Sequence, residues 1–179
     1  MGQYHLVVNL DKKQYLHPNH LGDGLKLLEF GDGGATLTAL AILLAKDNGR
    51  GLGDLHVASP ETPLDNWEQN DYGLKRKRTP HAHFVGSWSG DRITIAGDYG
   101  DNLPDREENL YSLAKREYED LSAPLRELIR ADRYPKDRFK DQFAWAEQRK
   151  EDQCSTQRGA GKTATRSRRR KSCSGPSGL

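Results

Sequence analysis

Apolar residues crowd residues 24–45 more densely than any other stretch of this chain: Gly-Leu-Lys-Leu-Leu-Glu-Phe-Gly-Asp-Gly-Gly-Ala-Thr-Leu-Thr-Ala-Leu-Ala-Ile-Leu-Leu-Ala. Between Ala35 and Ala45 only Thr36 and Thr38 are polar. A helix there is apolar almost all round and is predicted to lie buried in the middle of the domain. It falls short of the roughly 20 apolar residues that a bilayer-spanning helix needs. Leu25 to Phe30 reads as a short preceding helix, because Leu, Lys and Glu are good helix formers and none of these residues is β-branched. Asp23 stands where an N-cap for that helix belongs, and Gly31 where it ends.

Strand patterns flank this core. Tyr4 to Leu10 has the aromatic and β-branched content of a strand, Asp11-Lys-Lys reads as a turn and Gln14 to Leu16 as a short return, which predicts an opening hairpin. His17 to Gly24 reads as loop. Asp54 to Ala58 suits a brief strand. Ala82 to Gly97 alternates clearly: with Ser89-Gly90 as a two-residue turn, Phe84 pairs with Ile95, Gly86 with Ile93 and Trp88 with Asp91. Ala82, Phe84, Trp88, Ile93 and Ile95 then form one face, with the 35–45 helix as its natural partner, and His81, His83 and Asp98 lie on the other.

Helical spacing returns from Glu107 to Arg130, where apolar residues fall at 110, 113, 114, 118, 121, 125 and 128. Pro124 interrupts it, and Ser122 is placed to cap a fresh helix carrying that proline in its first turn. Lys136 to Lys150 repeats the pattern, with Phe139, Phe143 and Ala146 on one side and Trp145 near it. The prediction is an α+β domain over residues 1–150, its small antiparallel sheet made of two hairpins packed on the buried helix, with further helices C-terminal. Residues 60–80 form a variable loop and 151–179 a disordered basic tail.

Composition changes this picture in one respect. Charged residues make up 30% of the chain and hydrophobic ones 34%, so the core is modest and the surface heavily charged. The net charge of +2 conceals an asymmetry, because residues 151–179 hold seven Lys/Arg against two Asp/Glu. No apolar run is flanked like a signal peptide, so the expected location is the cytoplasm, with no membrane partner. Cys154 and Cys173 both lie in the polar tail, and neither a disulfide framework nor a zinc site follows from them.

Four groupings are candidates for chemistry. Gly31, Gly33, Gly34 and Thr36 form a glycine-rich link feeding a helix N-terminus, where a phosphate can be cradled, although Thr36 stands where the dinucleotide fingerprint wants a third glycine. His81, His83 and Asp98 share one face of the expected hairpin; two imidazoles and a carboxylate can hold a divalent metal, the one cofactor these residues point to, as in a metal-dependent hydrolase. Asp91, Asp98 and Asp101 gather carboxylates around one strand, without a nucleophile to serve. Lys75, Arg76, Lys77 and Arg78, with Arg166, Arg168, Arg169, Arg170 and Lys171, are basic runs of the kind that neutralise phosphates in nonspecific nucleic-acid binding. Gly159 to Thr163 lacks the strand and first glycine of a P-loop. With no complete catalytic set, the expectation is a binding or accessory module, non-catalytic, contacting nucleic acid through its tail.

Gly2-Gln-Tyr with Val8-Asn-Leu-Asp-Lys12, Gly22 to Phe30, Gly86 to Arg92 and Gly97-Asp-Tyr99 together resemble a set of small bacterial and phage-type proteins. The likeness spans most of residues 2–101 outside 60–80. It implies a shared fold unit and carries over no activity and no site.

Overall fold

The computed structural model of the chain describes residues 2–46, 55–64, 76–132 and 138–148. The fold is α+β, with a four-stranded sheet and a separate two-stranded one. Strands β1 (His5–Asn9) and β2 (Gln14–Leu16) form the expected hairpin, with Val7 opposite Leu16 and Asn9 opposite Gln14. Lys13 takes the left-handed conformation in its turn. Buried Asn9 holds that turn from inside: its Oδ1 accepts from the backbone N–H groups of Asp11 and Lys12, and its Nδ2 donates to Asp91.

The second expected hairpin does not form. Thr79 caps the turn that follows it by accepting from the His81 N–H, and Pro80–Phe84 winds into a 3-10 helix. Residues 85–90 continue as turns, and only Ile93–Gly97 is a strand, β5. Its partner is β1, antiparallel, with Val7 opposite Ile95, so Phe84 and Ile95 are not paired. The alternation from 82 was genuine, but proline at the first helical position and a threonine cap favour a helical turn.

With β6 (Glu119–Asp120) at its edge, the sheet runs β5-β1-β2-β6. Strand β6 lies parallel to β2, with Tyr15 opposite Asp120, so the sheet is mixed rather than wholly antiparallel. Strands β3 (Val57–Ala58) and β4 (Lys77–Arg78) pair in parallel as the smaller sheet. Both faces of β1 are covered, which is why Leu6, Val7 and Val8 are all buried in succession. On one face Leu6, Val8, Tyr15 and Ala96 meet Tyr111 and Ala114 of α3 (Leu110–Glu117). On the other, Val7 and Leu16 join α1 (Leu27–Gly31), α2 (Ala35–Leu44), α4 (Ser122–Ala131) and the helical run 140–148, called α5.

Helix α2 is less enclosed than its composition suggested. It buries Ala35, Thr36, Ala39, Ile42 and Leu43, while Leu37 and Leu44 face outward. Trp88 does pack beside it: the ring is fully buried, its N–H donates to the Leu43 carbonyl and its indole Nε1 to Gln14. Phe84 and Ile93 pack against the same core, whereas Ile95 is exposed. Phe139, just before α5, and Phe143 and Ala146 on it are buried as the spacing predicts.

Asp23 was expected to cap the first helix but serves the second. Its carboxylate accepts from the N–H groups of Ala35 and Thr36, the first residues of α2, and from Gln142 on α5. A Cβ at Gly34 would collide with that carboxylate, so glycine is required for the approach. Gly22, in the left-handed region, lies equally close to the backbone of Gln142. At the start of α1 the Lys26 N–H donates instead to the Glu29 carboxylate.

This buried carboxylate joins three elements, and charged hydrogen bonds are each worth roughly 1.5–3 kcal/mol. Asp23→Ala is expected to lower stability by about 3 kcal/mol in urea unfolding. A change below about 1 kcal/mol would show that α2 and α5 dock without it.

Candidate functional site

The glycine-rich link is already occupied from within. Gly31 ends α1, and Gly33 and Gly34 form the turn into α2. The N–H groups of Ala35 and Thr36 both donate to Asp23, Thr36 is buried, and the Gly33 carbonyl accepts from Arg138. A carboxylate fills the place a phosphate would take.

The proposed metal ligands are not brought together. His81 and His83 lie on the 3-10 turn Pro80–Phe84, where His83 Nδ1 bonds the Pro80 carbonyl at 2.7 Å. Asp98 lies just past β5, its carboxylate accepting from the Tyr4 N–H. Among the described residues no group of three or more His, Cys, Asp or Glu side chains stands in position to hold a metal ion. Asp91 is engaged by Lys12 and Asn9, which hold its carboxyl below the usual range.

Part of the basic run does converge with other cations. Lys77 and Arg78 on β4, His81 on the following turn, and Arg130 on α4 line one cavity of about 280 Å³, together with Thr79, Pro80, Ala131 and a single acid, Glu127. Arg130 is fixed there by Glu127 at 3.1 Å and Glu147 at 2.6 Å. Residue 75 and the tail cluster from Arg166 to Lys171 lie outside the described residues, as do Cys154, Cys173 and Gly159 to Thr163. Arg130 and Glu127 had gone unnoticed as site residues because their helix contributes them from 50 residues further along the chain.

A second polar cluster carries no motif at all. It sits where β2 and β6 end side by side, and four short links assemble it. The Leu121 N–H donates to Tyr15 O, continuing the parallel ladder. The His17 N–H donates to Ser122 Oγ at 2.7 Å, where a capping role within the helix had been expected, and the Ser122 N–H donates to Asp120 Oδ1. Asp120 Oδ2 in turn bonds His20 Nδ1 at 2.6 Å. His17 caps and His20 lies within the 3-10 turn Pro18–Leu21, a geometry in which side chains three apart eclipse. Their rings accordingly stack at 4.1 Å and 15°. Arg126 donates to the His20 carbonyl and reaches Glu147 at 3.8 Å.

The charges in this cluster are set by burial. His17 is 8% exposed, its Nδ1 is buried without a partner, and burial first, then the charge of His20, pushes its pKa down to about 4. It is a neutral ring. Burial raises the Asp120 carboxyl, but hydrogen bonds from His20 and Ser122 outweigh that and leave it below its ordinary value. Tyr15, buried beside Asp120, is pushed up to about 12 and keeps its proton.

No family model, curated protein or solved structure matches this chain.

The buried His17 makes stability pH-dependent. Between its unfolded pKa of about 6.5 and its folded value of about 4 the unfolded chain binds a proton that the native state refuses, so stability falls as the pH drops across that window. The loss approaches about 3 kcal/mol by pH 4. Urea unfolding at stepwise pH should show this slope, and His17→Gln should flatten it. An equally steep slope in the variant would assign it to other groups.

Proposed function

We propose that this chain is a binding module for a phosphate-bearing anion, with the nucleic-acid backbone as its ligand class and the cavity between β4 and α4 as its seat. The observation that carries the reading is the convergence of Lys77, Arg78, His81 and Arg130 on one concavity, with Glu127 the one acid in its lining and Glu147 pairing with Arg130 from outside it. Three of these are permanent cations, and the Arg130 guanidinium is held at the wall by Glu127 and Glu147. Lys77 is exposed and free to reach a ligand that Arg130, held by two glutamates, only meets at the wall. A cavity of this size suits a phosphate and part of its sugar rather than a whole folded partner. Neither basic run is interleaved with aromatic residues, which favours contact with the backbone over stacking on bases. The tail, with Arg166, Arg168, Arg169, Arg170 and Lys171, extends the same sequence-blind attraction. No helix among the described residues is long and apolar enough to cross a membrane.

Filter binding of a mixed-sequence oligonucleotide at 50 and 200 mM salt tests this on the full chain and on a chain whose tail cations are neutral. In both, Lys77→Ala and Arg78→Ala should weaken binding at every sequence and reduce the slope of log K against log salt by about one per cation removed. Unchanged affinity and slope in the cavity variants would contradict the reading.

A further inference from the structure

The cavity leaves the cluster at the β2–β6 seam unused, and its geometry is not what stability alone would select. An Asp–His pair this exposed, with the His20 side chain at 38% and Asp120 at 26%, adds at most about 1 kcal/mol. Beneath it the fold buries a histidine with an unpartnered ring nitrogen, which costs stability. Local rules broken without structural gain are expected where a site is built.

We propose that this seam is an acid–base site in which His20 acts as a general base on water, for hydrolysis of activated carboxylic esters. Asp120 accepts the Nδ1 proton of His20 and so fixes the ring and its tautomer. Nε2 is then the basic nitrogen; it makes no hydrogen bond in the structure and opens to solvent. His17, neutral and stacked flat on the ring, holds its plane without adding a charge. Arg126 secures the His20 backbone, with Glu147 behind it. Asp120 and His17 are thus positioning residues.

In the step itself, the water oxygen bonds to the ester carbonyl carbon while Nε2 takes the water proton. The carbon–oxygen bond to the leaving group then breaks, the electron pair departs with that oxygen, and the imidazolium returns its proton to buffer. The surrounding residues seen to face this cluster are Tyr15, which keeps its proton, the structural cation Arg126, Lys115, whose ammonium sits over the Tyr111 ring, and Ser122, whose hydroxyl is engaged with His17. None of them is placed to protonate a leaving group. That limits the substrate class to esters whose leaving group departs as a stable anion, such as aryl esters.

The test is hydrolysis of p-nitrophenyl acetate by the full chain, with an internal reference in the same molecule. His83 is exposed and its Nδ1 is also occupied, but by a backbone carbonyl in place of a carboxylate. His20→Gln is expected to lower kcat/KM on the order of a hundredfold, and His83→Gln to leave it unchanged. Asp120→Asn should lower kcat with KM unaltered, a split that a merely structural role would not produce. Wild-type protein no faster than the same concentration of free imidazole would overturn the proposal, as would equal losses in the His20 and His83 variants. The wild-type comparison decides the matter even where a variant fails to fold.

Discussion

The seam between β2 and β6 is the constraint on which the rest of this structure depends. It is only two residue pairs long, yet it joins segments more than a hundred residues apart in the chain. Around it, backbone and side-chain hydrogen bonds run in sequence: the Glu119 N–H to Lys13 O, the Leu121 N–H to Tyr15 O, and the His17 N–H to the buried Ser122 hydroxyl. The last is the most telling. A hydroxyl at the start of a helix ordinarily serves that helix's own amides, and here the Asp120 carboxylate takes over that role so that Ser122 can bond the opposite strand. Since the closure entropy of so long a loop must be offset, each of these bonds matters beyond its own strength.

Because the seam sets where α4 begins, it also sets what α4 carries. Leu125, Leu128 and Ile129 are fully buried against the sheet and α2, which leaves Arg126 and Arg130 on a flank that Glu147 of α5 can bridge. The beginning of the helix supplies the His20 cluster and its end supplies the cationic cavity. Arg130 near the C-terminus of α4 also suits the negative end of the helix dipole. Asp132, just past that terminus and fully buried, accepts from the His56 N–H and ties the smaller sheet to the same helix end. Two chemically different surfaces thus rest on one rod, held at one end by the seam and at the other by Asp132.

Much of the fold was legible in the sequence where a period or a breaker was long enough to read. The β1–β2 hairpin, the helix at 35–44, the interruption by Pro124 and the apolar side of 139–146 all rest on such signals. What escaped is instructive. A two-residue strand such as β6 has no period, and its pairing is decided by chain segments elsewhere. The alternation from Ala82 to Gly97 fits a hairpin in both halves, but Thr79 and Pro80 act locally and β1 offers Ile93–Gly97 a longer partner. Asp23 is spaced correctly for α1 and is drawn to α2 by tertiary contact, filling the glycine-rich link with the protein's own carboxylate. Of the candidate residues, Lys77, Arg78 and His81 do enter one cavity; the Asp120–His20–His17 cluster was invisible because its members come from a two-residue strand and a short turn that only the seam brings together.

Amide hydrogen exchange at His17 and Leu121 measures that seam directly. Both N–H groups should exchange only through global unfolding, at rates matching the Val7 amide of the central strand, since all three are held inside one cooperative unit. Exchange at His17 or Leu121 as fast as in an unstructured loop, with Val7 still protected, would show that the seam opens on its own and would remove the support from under both sites.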